Sequence, residues 1–401
     1  MSGIYIHIPI CATRCIYCDF YSTTLRHRAG ELVAALEREM DERQEFLAEP
    51  VRTIYFGGGT PSQLGSHHVR SILEALARHF DLGQCHEVTL EANPEDIASG
   101  LWQMGSDHQL LPGHPLPVSI NRISMGVQSM VDNELRLLHR RHDSKAVEQA
   151  VNLVRQAGIH NLSLDLMYGL PNQTLDTWQY TIDRILSLRP EHISAYNLMV
   201  EEGTVLSELV DRGELHPADD ETCLQMASIL RQRLKEAGYQ QYEISNYALP
   251  GYHSRHNSSY WQPTPYLGLG PGAHSYDGHR CRTSNAPDLR AYLNGTRNED
   301  VELLTDTDLY NEFLMLGLRT SHGVDLSRLL ALRHPLSAEP LQPLISSLME
   351  RGLVRQFSDP TSLSSASPSS VRPTANTTHT RLALTESGLA LADEVIRELM
   401  A

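Results

Sequence analysis

No apolar run in the 401-residue chain approaches the ~20 residues needed to cross a bilayer as a helix. The N-terminus also lacks a basic segment followed by a long apolar one, so no secretory leader is expected. Positive charge is in deficit: 33 lysines and arginines face 49 acidic residues, a net charge of −16. That balance excludes a general affinity for nucleic acid or anionic lipid, though not a local basic pocket. Cysteine is scarce, six in all, and disulfides are not expected in a large chain without a leader. Cys85, Cys223 and Cys281 are isolated and read as small core hydrophobes. What remains is an ordinary globular composition, 41 % hydrophobic and 20 % charged, long enough for one large domain and one or two smaller ones. The expected setting is the reducing cytoplasm.

The other three cysteines form Cys11-Ala-Thr-Arg-Cys15-Ile-Tyr-Cys18, directly after the apolar run Ile4–Ile10. Three thiolates on one short loop suit three irons of a 4Fe–4S cube and leave the fourth iron open. A zinc knuckle is the alternative, but zinc wants four protein ligands in a closed site, so His7 or His27 would have to complete the shell. The C-x3-C-x2-C spacing resembles the signature of the radical S-adenosylmethionine (SAM) superfamily. In that superfamily SAM chelates the open iron through its amino and carboxylate groups.

Downstream, strand-like and helix-like segments alternate about six times. Strands are expected at Ile4–Ile10, Val51–Phe56, His86–Ala92, Arg122–Val127, Asn161–Tyr168 and His192–Leu198, with amphipathic helices between them. Such alternation predicts an α/β fold of parallel strands with crossover helices. Resemblance to radical SAM proteins implies a partial (β/α)6 barrel. The proline-rich interval Gly100–Ser119 reads as a surface elaboration. The expected divisions are a core with the cluster loop at 1–200, a core extension at 201–305, and a small, mostly helical, winged-helix-like domain at 306–401. A Ser/Pro/Thr-rich stretch at 358–380 reads as a mobile loop within that domain.

Several chemistry-bearing residues fall at the C-terminal ends of the expected strands, the edge where parallel α/β folds gather ligands. Gly57-Gly58-Gly59-Thr60-Pro61 follows the second strand, and glycine there lets backbone amides approach a ligand. No Gly-Lys-Ser/Thr follows, which rejects a P-loop. Glu91, Gln128 and Asp165 share the same edge and suit ribose hydroxyls and a cationic sulfonium. Each has a plainer reading as a helix cap or loop partner. Arg140, in Leu-Leu-His-Arg-Arg-His, suits a forked pair with a carboxylate, or else ends a solvated helix.

The segments Ile4-Tyr5-Ile-His7-Ile-Pro9-Ile-Cys11, Tyr55-Phe-Gly-Gly-Gly-Thr60-Pro61, Glu91-Ala-Asn-Pro94, Ser124-Met-Gly-Val-Gln128-Ser129 and Asp165-Leu-Met-Tyr-Gly-Leu-Pro171 occur in the order seen in the oxygen-independent coproporphyrinogen III oxidase-like family. The chain resembles that family from Ile4 to about Leu293, and more loosely to the end. Two branches compete: the coproporphyrinogen III dehydrogenases and the HemW-type haem chaperones. The dehydrogenase pattern has a fourth cysteine where this chain has Phe20, and an extension ahead of the cluster loop. Cys18-Asp-Phe20-Tyr-Ser22 and His256-Asn-Ser-Ser-Tyr260-Trp261 are similar to chaperone motifs, the latter to H-N-x-x-Y-W.

The chaperone resemblance implies a 4Fe–4S cluster on Cys11, Cys15 and Cys18. It implies a SAM pocket at Tyr5, Tyr17, Gly58, Gly59, Thr60, Glu91, Gln128, Arg140 and Asp165, with Tyr17 acting through its backbone and Tyr5 through its ring. His256 is the expected axial haem ligand, since neutral imidazole is a common one. Tyr260 and Trp261 offer flat apolar surface, and Arg255 a partner for a propionate. Delivery of haem to a membrane respiratory acceptor and cluster-dependent dimerisation are further implications. A zinc-stabilised adaptor is the rival of another class.

Overall fold

Six strands alternate apolar and polar side chains almost without a break. They are β1 (Ser2–Ile8), β2 (Val51–Gly58), β3 (Glu87–Ala92), β4 (Arg122–Gln128), β5 (Asn161–Tyr168) and β6 (His192–Asn197), as placed in a computed structural model of the chain. They lie side by side in chain order, every pair parallel. The residues described are 2–100, 102, 116–334, 336, 340–359 and 379–401. Most of the expected elaboration at Gly100–Ser119 and of the expected loop at 358–380 lies outside them.

Successive strand side chains point to opposite faces. One face carries Ile4, Ile6 and Ile8, Ile54 and Phe56, Val88 and Leu90, Ile123 and Met125, Leu162 and Leu164, and Ile193, all buried in one large core. The crossover helices α1 (Ala29–Glu42), α2 (Gly65–His79), α3 (Pro94–Ala98), α5 (Ser144–Gln156) and α6 (Leu175–Leu188) pack into this core, while the short α4 (Asp132–Leu137) precedes α5 and adds Leu137 to a smaller, separate cluster. The helix α6 starts on a reciprocal cap between Thr174 and Thr177. Its fully buried Trp178 donates Nε1–H to the Met226 carbonyl at 3.0 Å, which ties it to α8 (Asp220–Glu236); α7 (Val205–Asp211) precedes that helix. The opposite face is polar: Tyr5 and His7, Tyr55 and Gly57, Thr89 and Glu91, Arg122 and Ser124, Ser163 and Asp165.

The sheet does not close on itself. Beyond β6 it continues antiparallel through β8 (Asn246–Ala248) to β7 (Gln240–Gln241). The short helix α9 (Arg255–Tyr260) follows. Beyond β1 come β9 (Tyr266–Leu269), β10 (His274–Tyr276), β11 (Cys281–Ser284) and, after α10 (Leu289–Leu293), β12 (Asp300–Leu303). The architecture is thus an open, partial (β/α)6 barrel, extended at both edges by residues after 201.

The chain divides into two compact units, and Leu303–Ala401 falls in the second together with Tyr242–Ile244 and Tyr260–Pro263. That unit has its own core, including Tyr310, Leu314, Leu329, Ile345, Val395 and Leu399. Its helices α11 (Asp306–Leu318), α12 (Leu326–Arg333) and α13 (Gln342–Glu350) are joined by a small antiparallel sheet. The sheet is ordered β13 (Val324–Asp325), β15 (His379–Leu384), β14 (Val354–Asp359), and α14 (Glu386–Ala390) and α15 (Ala392–Leu399) end the chain. Three helices followed by a two-stranded wing make a winged-helix-like arrangement. No helix among the described residues is long and apolar enough to cross a membrane.

Candidate SAM and cluster site

The cysteine loop leaves the C-terminal end of β1 and is laced to the glycine run after β2. Gly59 N–H donates to the Ile8 carbonyl at 2.9 Å and Thr60 N–H to that of Ile10 at 2.8 Å, prolonging the strand pairing. Cys11 N–H donates to the Thr23 carbonyl at 2.9 Å, closing the loop. A Cβ at Gly59 would stand 3.0 Å from Cys11 Sγ and 2.9 Å from the Ile8 oxygen, so only glycine fits there without displacement. Thr60 Oγ1 lies 3.3 Å from Cys11 Sγ. Arg140 Nη1 donates to Cys15 Sγ at 3.4 Å. Burial pushes the Cys11 and Cys18 thiols up, and the neighbouring thiols add to the effect. A metal's positive charge is what would hold them as thiolates. Among the described residues, no trio of His, Cys, Asp or Glu side chains already converges in coordination geometry.

Arg140 is drawn into the site and does not end a solvated helix. Its Nη2 donates to Asn93 Oδ1 at 2.7 Å and to the Gly126 carbonyl at 2.5 Å. Burial opposes its charge, but Tyr17, Cys15 and Glu95 outweigh that, and the guanidinium stays protonated. Burial raises the Tyr17 phenol as well. Asn93 also reaches Thr60 Oγ1, at 3.4 Å. In the Glu91-Ala-Asn-Pro94 motif only the glutamate stands out by charge; Asn93 takes its part through Arg140 and Thr60, which the chain brings from distant segments.

The polar strand ends meet beside this loop. Glu91 accepts Tyr55 O–H at 2.8 Å on Oε1 and Gly58 N–H at 3.2 Å on Oε2. Gly58 has φ +110°, and a Cβ there would fall 2.6 Å from the His7 ring. Burial pushes the Glu91 carboxyl up to about 7, the Asp165 charge adding to it, while Tyr55, Gly58 and Arg122 pull the other way. Asp165 is also raised by burial and accepts hydroxyls from Ser124 at 3.0 Å and Ser163 at 2.9 Å. Gln128 sits at a bulge in β4 with φ 67°. A Cβ on Gly126 would stand 3.0 Å from its Nε2 and 3.2 Å from Arg140 Nη2. Tyr5 lies against Tyr55, ring centroids 6.1 Å apart. Three glycines without Cβ, the Arg140 cation against Cys15 and two crowded carboxylates form a cradle whose chemistry suits a flat, cationic nucleoside beside the three-cysteine loop.

His256 is not brought to this edge. It lies in α9, fully buried, at the opposite ends of the strands: beside Gly3 of β1, Thr53 of β2 and Glu87 of β3. Its Nδ1 is 2.9 Å from Thr53 Oγ1. Burial and the Arg122 charge lower its imidazole to about 3, so it is neutral. The imidazole expected to meet haem iron is here enclosed by the polar face of the sheet. Arg255 is exposed, and from Tyr260 to Pro263 the chain belongs to the second unit.

A parallel, open barrel with a three-cysteine loop laced to a glycine-rich strand end defines a radical SAM protein. Consistent with this, residues 5–185 match the Radical SAM superfamily, and residues 304–359 match the HemN C-terminal domain. The chain is 34 % identical over 363 residues to a protein of Bacillus subtilis (strain 168) named "Heme chaperone HemW", covering 88 % of this chain and 93 % of that one. It is 32 % identical over 364 residues to the protein of the same name from Escherichia coli (strain K12), covering 89 % and 92 %. In structure it is similar to the coproporphyrinogen III oxidase HemN of Escherichia coli, described as a radical SAM enzyme. The TM-score is 0.76 at 22 % identity, over all of this chain and 90 % of that one; this likeness speaks to fold alone. The chain belongs to the HemW family of radical SAM proteins. Membership of the superfamily implies SAM and a 4Fe–4S cluster.

Proposed function

We propose that this protein is a haem chaperone, which binds haem together with a SAM-coordinated 4Fe–4S cluster and passes the haem to an acceptor protein. The observation that carries this reading is the 34 % identity to a named haem chaperone over 93 % of that protein's length. Phe20, where the dehydrogenase branch has its fourth cysteine, supports it: the side chain is 64 % exposed, and a phenyl ring cannot stand in for a thiol.

Cys11, Cys15 and Cys18 would hold the cluster, and Tyr5, Tyr17, Gly58, Gly59, Thr60, Glu91, Gln128, Arg140 and Asp165 the SAM. When bound, the pair supplies one-electron chemistry. Arg140 would meet a carboxylate, Glu91 and Asp165 the cationic and hydroxyl groups, and the glycine run would let backbone N–H groups close in. His256 would supply a neutral imidazole to the haem iron. A haem-accepting membrane respiratory protein and a cluster-dependent dimer complete the proposal.

Haem titration of reconstituted protein tests it. His256→Ala should weaken haem binding at least about tenfold, a loss of ~1.4 kcal/mol, and leave iron content intact. Equal haem affinity in the variant would place the haem ligand elsewhere.

A further inference from the structure

We propose that His256 is a positioning residue for the SAM pocket, acting from the far ends of the strands through Tyr55 and Glu91. This rests on the reading that SAM sits at Gly58 and Glu91. The contacts form one unbroken line across the polar face of the sheet. At its base the buried Glu87 carboxylate accepts the N–H groups of Arg255 at 2.9 Å and His256 at 2.8 Å, fixing the start of α9 against β3. Thr53 holds the imidazole at Nδ1, 2.9 Å away. Gly3 makes room for it: a Cβ there would stand 2.9 Å from Thr53 Oγ1 and 3.2 Å from the imidazole ring.

The imidazole then lies flat against Tyr55, with ring centroids 5.1 Å apart and 26° between planes. Tyr55 is itself buried, and its hydroxyl donates to Glu91 Oε1 at 2.8 Å. The other carboxylate oxygen takes Gly58 N–H at 3.2 Å. Gly57 keeps this joint tight, since a Cβ there would meet both Tyr5 and Tyr55 at 2.9 Å and Glu91 Oε1 at 3.2 Å. Close packing leaves little slack along such a line. Tyr55 is flanked by two rings, the imidazole and Tyr5; taking away the imidazole leaves it room to tilt from the line that aims its hydroxyl at Glu91. The histidine of the H-N-S-S-Y-W motif thus bears on a pocket it never touches. Its neutral state suits this passive role, because no charge is introduced beneath the Glu91–Asp165 pair.

The test is a double-mutant cycle on SAM affinity, measured calorimetrically on cluster-reconstituted full chain. His256→Ala and Tyr55→Phe should each weaken SAM binding about tenfold. The double variant should be no worse than about tenfold, because both substitutions break the same line. Iron content should stay at the wild-type level in all three. His256→Gln, which refills the floor with a polar group but no ring, covers the case in which the alanine variant does not fold, and should lose affinity to the same degree. A second readout is the change that SAM makes to the electron paramagnetic spectrum of the reduced cluster, which should shrink in the His256 variants. Losses that multiply to about a hundredfold, or His256 variants that bind SAM within twofold of wild type, would overturn the inference while leaving the SAM pocket in place. A wild-type protein that binds no SAM would overturn the pocket reading itself, and the inference with it.

Discussion

Glu91 is the residue whose surroundings say most about the site. A carboxyl raised to about 7 from an ordinary 4.5 is penalised when it ionises in the folded chain. Below the ordinary value it is neutral in both states and contributes nothing; the penalty grows as pH rises to about 7 and is complete above it. Ligand-free Glu91→Gln should therefore be more stable than wild type at pH 8, by on the order of 1–3 kcal/mol, and match it near pH 4. Urea titrations at the two pH values check this; a variant equally destabilised at both would show that Glu91 ionises freely. Cys15 is one of the three cysteines proposed to hold the cluster, and Arg140 already points at its sulfur. Cys15→Ser should abolish the iron–sulfur chromophore and lower bound iron to under about a tenth of wild type, since the remaining thiolates give one ligand too few. Retention of full iron and sulfide would remove Cys15 from the ligand set.

At the scale of elements, the parallel strands were plain in the sequence because each alternates a branched apolar residue with a polar one. Val-Thr-Leu-Glu at 88–91 and Leu-Ser-Leu-Asp at 162–165 are examples. The same alternation put Glu91 and Asp165 at one edge, so their neighbourhood was legible too. The short elements between Pro250 and Tyr276 were not. That interval reads as ordered loop, yet it holds α9, β9 and β10. Here β9 is only Tyr266–Leu269 and takes its place by pairing with β1, a long-range contact that leaves no periodic trace. The burial of His256 was hidden for a related reason: it depends on Gly3, Thr53 and Glu87 from three distant strands. The β1–β2 junction yields a test of its own. Gly59→Ala would place a methyl carbon 3.0 Å from Cys11 Sγ. It should cut cluster occupancy several-fold on reconstitution while the far-ultraviolet dichroism stays that of wild type. Full occupancy would mean that the loop yields more easily than its lacing to Ile8 and Ile10 suggests.

At the scale of the molecule, the chain couples a radical SAM core to a small winged-helix-like unit with a separate core. This arrangement is shared in fold with a coproporphyrinogen III oxidase. Fold does not decide between the two branches, since one scaffold carries both activities. What separates them is whether a tetrapyrrole is kept or transformed. The most direct measurement takes the anaerobically reconstituted protein with SAM and a reductant, and runs two reactions in parallel. One is titrated with haem; the other receives coproporphyrinogen III and is assayed for protoporphyrinogen and 5′-deoxyadenosine. A haem chaperone retains haem stoichiometrically, with a Soret band that survives gel filtration, and forms no protoporphyrinogen. Sustained production of protoporphyrinogen and 5′-deoxyadenosine, with haem lost on the column, would contradict the account.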